Sequence, residues 1–201
     1  MSRIRRRALL AAAGAMAVSG CAGLPTLCSR PSFRADRLDF DTLEFSSVKR
    51  WYSYRGTVLA TEAAHVERLE PPTPDDVETH RDEELSSDGR RFYEDIELTS
   101  AERAFIETTD FDDSILVGVL VGSASQSSDP RVTHVVREGR SVHCYVCIRR
   151  VGFDNVWAPQ ARLIRVRDSW SPETVRVTFT NGNRSTETFD SDGTGADLLG
   201  G

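Results

Sequence analysis

Lysine is almost missing from this chain: Lys49 is the single lysine among 25 basic residues. Methionine is as scarce, with Met1 and Met16 both inside an amino-terminal stretch that reads as a removable signal. A mature chain without methionine lacks the usual axial ligand of a blue-copper site. His143 and Cys144, being adjacent, point to opposite faces of an extended strand, and no Cys-x-x-His follows. Zinc is disfavoured too, because His143-Cys144-x-x-Cys147 has no second pair of ligands. There is no Gly-x-Ser-x-Gly elbow, no His-Glu-x-x-His and no Walker loop. His65, His80, His134 and His143 stand outside any motif, and His134, among valines, reads as structural. Asp110-x-Asp112-Asp113 lacks the glycine and glutamate of an EF-hand. Asp190-x-Asp192-x-Thr194-Gly195 matches the first half of such a loop, but Gly201 stands where the closing glutamate belongs. The expectation is no catalytic residue, no metal and no cofactor. The apolar run 8–18, interrupted by Gly14, falls short of the roughly 20 residues that cross a bilayer.

What is present begins with charge. Arg3, Arg5, Arg6 and Arg7 precede the apolar run, and no acid precedes Asp36. Residues 21–201 hold 21 bases against 31 acids, a net charge near −10. Such a surface repels phosphate backbones, so a nucleic-acid partner is disfavoured. The Arg-rich, Lys-poor, acidic balance resembles that of halophilic archaeal proteins, whose dispersed carboxylates keep the surface hydrated in salt. The basic start, the short apolar run and Val18-Ser19-Gly20-Cys21 together look like an export signal ending in the lipobox of bacterial and archaeal lipoproteins. Arg6-Arg7-Ala8-Leu9-Leu10 resembles a twin-arginine signal, although Arg5 replaces the usual serine, which leaves the general secretory route open. The resemblance implies removal of residues 1–20, a lipid on Cys21 and a place on the extracytoplasmic face of the membrane.

With Cys21 assigned to lipid, Cys28, Cys144 and Cys147 remain, an odd number for an oxidising compartment. An extended strand separates residues three apart by about 10 Å, beyond the roughly 7 Å a disulfide tolerates, so Cys144 and Cys147 should not pair. Cys28 with Cys147 is the expected bridge, with Cys144 as the alternative partner. Asn183-Arg184-Ser185 is a glycosylation acceptor triplet beside a hairpin turn, which makes Asn183 a candidate for modification.

Residues 22–34, with glycine, prolines and serines but no periodicity, read as part of a flexible tether over 21–35. A single β-rich domain is expected over 36–189, interrupted by an acidic, proline-bearing loop at 70–91, with a disordered tail at 190–201. Strands are predicted at 37–46 and 48–59, and a short helix over 61–69. Thr99-x-x-Glu102 is a capping box opening another. Residues 115–121, all aliphatic but for Gly118, predict a central strand buried on both faces. Glu138-Gly139 and Asn181-Gly182 mark two hairpins, 131–151 and 174–189, and another strand is predicted at 161–167. The fold class is mainly β: an antiparallel β-sandwich or twisted sheet with one or two short helices.

Asp110-Phe111-Asp112 before the apolar strand, the hairpin over 132–148, and Ala158-Pro159-Gln160-Ala161 before Leu163-Ile164-Arg165-Val166 resemble the PrcB C-terminal domain family of exported and lipidated proteins. That family takes its name from a lipoprotein tied to a surface protease complex. The resemblance implies a non-catalytic binding or accessory module of an envelope or protease complex, with no catalytic residues to carry over. Trp51, Tyr52, Trp157 and Trp170 are candidate contacts for a protein partner at the cell surface, because aromatic side chains dominate binding energies. The alternatives are an exported hydrolase without a recognisable motif and a small solute-binding lipoprotein. A histidine held against a carboxylate in a cleft would favour the hydrolase.

Overall fold

A computed structural model describes residues 28–45, 56–69, 97–121, 128–150, 160–181 and 185–194. The strands are β1 (Asp36–Arg37), β2 (Asp39–Glu44), β3 (Thr57–Ala60), β4 (Ser114–Val121), β5 (Ser128–Glu138), β6 (Ser141–Arg150), β7 (Gln160–Arg167), β8 (Thr174–Asn181) and β9 (Thr186–Ser191). A 3-10 helix (Ala63–Leu69) follows β3, and α1 (Ser100–Glu107) precedes β4. They form a five-stranded sheet in the order β1-β5-β6-β8-β9 and a four-stranded sheet in the order β2-β7-β4-β3. The chain is mainly β, and the two sheets pack as a sandwich.

Two apolar layers hold it together. Between the sheets, Ile115, Val117, Val119, Val121, Ile164 and Val166 meet Val135, Val142, Cys144, Val146, Val175 and Val177. On the other side of the four-stranded sheet, Val58, Ala60, Leu116, Leu120, Ala161 and Leu163 meet Phe45, Leu69 and Ile106, the last two brought by the 3-10 helix and α1. The four-stranded sheet is thus the middle layer of three. That is why β4, lying between β7 and β3, buries all eight of its residues and reads as a continuous aliphatic run. Burying each such aliphatic side chain stabilises the fold by about 1.5–3 kcal/mol.

Local signals set the ends of several elements. Thr99 N donates to Glu102 Oε2 at 2.7 Å and Glu102 N to Thr99 Oγ1 at 3.2 Å, closing the capping box of α1. At the other end of α1, Arg165 of β7 donates to Phe105 O, Thr108 Oγ1 and Thr109 Oγ1 and lies over the Phe105 ring. A cation at this carboxyl-terminal end suits the negative end of the helix dipole. Gly139, at φ +60°, turns β5 into β6, with Glu138 opposite Ser141. Val132 and Val135 both serve the inter-sheet core although three apart, because a register shift between Val132 and His134 inserts one residue.

Some expectations need correction. The pattern predicts antiparallel strands, yet β6 and β8 run parallel, from Ser141 opposite Thr174 to Ile148 opposite Asn181. Between them the chain crosses to the other sheet as β7 and returns, so this pairing carries no hairpin signature. The segment over 61–69 is helical but wound as a 3-10 helix. Residues 28–35, expected within the tether, are fastened to the five-stranded sheet by the disulfide at Cys28 and by Ser29. Residues 190–194, expected within the disordered tail, are structured: β9 runs to Ser191, and Thr194 bridges to Val58. The acidic loop 70–91 lies outside the described residues.

Candidate functional site

Alternation along β6 decides which side chains leave the core. Val142, Cys144 and Val146 point between the sheets, so His143, Tyr145 and Cys147 point outward. In-register neighbours extend each outward residue into a row: Val136, His143, Arg176 and Asp190; then His134, Tyr145, Thr178 and Thr188. This outer face is polar, but His143 and Tyr145 are buried in it.

His143 is its centre. Nε2 lies 2.7 Å from Thr178 Oγ1, and Nδ1 lies 3.0 Å from Glu138 Oε2, off the line of a well-directed hydrogen bond. The ring stacks on Tyr145, centroids 4.2 Å apart. Arg176 Nη1 donates to the same Glu138 oxygen at 3.0 Å, while its Nε and Nη2 clasp Asp190 at 2.6 and 3.2 Å. This charge-assisted fork draws the Asp190 carboxyl below its ordinary range and raises Arg176. Burial lowers the His143 pKa against the opposing pull of Glu138. Burial lowers that of His134 too, helped by the charges of Arg37 and Arg30.

The chain's own amino-terminal segment lies on this face. Cys28 is bonded to Cys147, with Cα atoms 5.4 Å apart. Ser29 N donates to Thr180 Oγ1 at 3.0 Å, and Ser29 Oγ lies 3.0 Å from Thr186 Oγ1. The chain then reaches the opposite edge of the sheet, where β1 pairs with β5. Residues 28–35 are therefore a strap across the sheet.

Chemically, an imidazole between a hydroxyl and a carboxylate can relay a proton. Here Thr178 is 4% exposed and its hydroxyl also engages Thr188 Oγ1 at 2.7 Å, so it lies beneath the surface with both sides occupied. The cluster joins four strands of one sheet through side chains. Its folded-state histidine predicts a pH response. Since the pKa of His143 is lowered from 6.5, the unfolded chain takes up the proton first as pH falls. Stability is then constant above that value and declines below it, until the folded pKa is passed. Urea midpoints taken between about pH 7.5 and 5.5, above most carboxylate titration, should fall with pH, and His143→Gln should flatten the slope. An unchanged slope in the variant would contradict the role given to His143.

The other sequence candidates are placed as follows. Cys144 is a free thiol in the inter-sheet core, its pKa pushed up to about 12 by burial, on the face opposite Cys147. Trp170, the candidate partner contact among the described residues, is half-buried and packs against that core, with the Arg137 guanidinium 4.8 Å over its ring and Asp168 paired to Arg137. Asp190 is taken up by Arg176, and Asp192 accepts from Thr194 N and Oγ1, so the half-loop that resembled a calcium site is closed on itself. Among the described residues no group of three or more His, Cys, Asp or Glu side chains is gathered for a metal. Arg6, Arg7, Cys21, Trp51, Trp157 and Asn183 lie outside the described residues. Sequence reasoning missed Glu138, Arg176 and Thr178. Glu138 is brought to His143 by the β5–β6 hairpin, but Arg176 and Thr178 come to it only through the parallel β6–β8 register, which no local pattern announces.

The chain matches no family model, no curated protein and no solved structure.

Proposed function

We propose that this chain is a lipid-anchored module on the outer face of the cell membrane, exported through the signal at 1–20, held by a lipid on Cys21, and acting as a non-catalytic binding or accessory subunit of an envelope or protease complex. The observation that carries the reading is the Cys28–Cys147 disulfide, formed seven residues after the lipobox cysteine. Such bonds persist in oxidising compartments and are rare in the cytosol. The likeness to the PrcB C-terminal family and the acidic mature surface point the same way. The hydrolase alternative would start from Thr178, His143 and Glu138. The burial of that hydroxyl counts against it.

The test replaces Cys21 by serine in the producing cell. The parent should partition with membranes and into detergent at a processed mass, and Cys21→Ser should be released or remain unprocessed. A Cys21→Ser protein that stays on the envelope at the processed mass overturns the anchoring. Capture of the parent from detergent-solubilised membranes at native salt should recover a constant protein partner.

A further inference from the structure

Among the described residues, one large hydrophobic side chain stands in solvent: Phe33, 88% exposed. A lone exposed phenylalanine is ordinary on a protein surface. Its setting is not. Phe33 sits in the tight turn of the strap, where Ala35 N donates to Ser32 O at 3.1 Å. The strap is pinned at one end by the Cys28–Cys147 bond and Ser29 and at the other by β1 on β5, so the aromatic ring is presented on a fixed base. The Arg34 guanidinium lies 5.4 Å from the Phe33 ring centroid. Arg30, Arg34 and Arg37 are all exposed, and Arg30 and Arg37 both act on His134, which places them over one face.

Charge sets this corner apart. All 31 acids lie at Asp36 or beyond, so 21–35 carries Arg30 and Arg34 and no acidic residue, on a chain that is otherwise strongly acidic. An acidic body held near an anionic bilayer is repelled by it, and only a basic corner can turn toward the headgroups. Distance adds to this. Cys28 lies seven positions after Cys21. Fully extended, that stretch spans about 25 Å, so a lipid on Cys21 keeps the strap within reach of the membrane surface.

Resting on the anchoring proposed above, we infer that the strap is a membrane-contact surface: Phe33 enters the interface of an anionic bilayer while Arg30 and Arg34 face its headgroups, turning the five-stranded sheet toward the membrane. An aromatic ring flanked by arginines suits that boundary, with the apolar body in the acyl region and the cations in the headgroups. High salt should weaken the arginine contribution through screening and leave that of Phe33 in place.

The test uses the mature chain, lipidated at Cys21, in vesicles of phosphatidylcholine and phosphatidylglycerol with brominated acyl chains. Phe33→Trp supplies a reporter at an exposed position, and the parent supplies the background from Trp51, Trp157 and Trp170. The added emission should be quenched about twofold or more, and Arg30→Glu with Arg34→Glu should remove about half of that quenching at low salt. Intact flotation of the vesicles with no quenching of the added tryptophan overturns the inference and leaves the anchoring standing. Loss of flotation by the parent overturns both.

Discussion

Replacing Cys28 and Cys147 together by serine is expected to lower the unfolding free energy of the mature chain by about 3–5 kcal/mol. The two cysteines are 119 residues apart, so the bond closes the chain from the strap to β6 into one loop and leaves β7, β8 and β9 outside it. Closing a loop of that length removes close to 5 kcal/mol of chain entropy from the unfolded ensemble in the entropic account, and measured losses for native bonds run from about 2 to 5. A second contribution comes from the folded side. Without the bond the strap is held by the Ser29 contacts to Thr180 and Thr186 and by the two-residue β1 pairing. For a domain of this size the thermal midpoint should drop by about 10 °C. Urea unfolding of the parent and the double variant, each with and without a dithiol reductant, measures it. The parent under reduction should approach the variant, and the variant should not respond. Superimposable curves for all four samples would refute the structural weight assigned to the bond.

Gly193→Ala is expected to cost about 2–4 kcal/mol, against about 1 kcal/mol for Gly139→Ala. Both glycines hold left-handed backbone, φ +78° and +60°, so each alanine carries the same backbone penalty. Their surroundings differ. A Cβ on Gly139 meets nothing within 4 Å, whereas one on Gly193 would stand 2.4 Å from Leu59 Cβ and 3.2 Å from Leu59 N. Gly193 cannot move away freely, because its carbonyl accepts from Leu59 N at 3.0 Å and its own N–H donates to Ser191 Oγ at 2.9 Å. Thr194 adds the bridge to Val58. This crossing clasps the chain leaving the five-stranded sheet onto the edge strand of the four-stranded sheet. Relieving the overlap means opening the clasp, with Leu59 shifting out of the inter-sheet core. The comparison of the two variants by denaturant midpoint isolates the packing contribution from the backbone one. Equal losses would mean that the clasp yields without cost.

The two glycines also show how unevenly the fold can be read. Gly139 follows a glutamate between two alternating runs, a turn announced by its neighbours. Gly193 lies in a stretch rich in glycine, aspartate and serine that reads as a tail, because its reason for being glycine is Leu59, far away in sequence. The candidate site divides in the same way. That His143, Tyr145 and Cys147 share one face of a strand follows from alternation. That Glu138, Arg176, Thr178 and Asp190 gather around His143 depends on which strands lie beside β6. Trp170 was legible as a large aromatic in a connection, but whether its ring faced a partner or the core depended on where Arg137 and the sandwich end came to lie.

The amino-acid sequence by itself determined the β class, the doubly buried run of β4, the capping box of α1, the two hairpins and the charge contrast at Asp36. Each is written in residues within a turn or a strand of one another, where periodicity, turn chemistry and capping act directly. Tertiary structure alone decided the parallel pairing of β6 with β8, the strap over the outer sheet face, the His143 cluster and the Gly193 clasp. Backbone hydrogen bonds between strands are blind to sequence. Partners distant along the chain are chosen only when the whole set of apolar faces is buried at once.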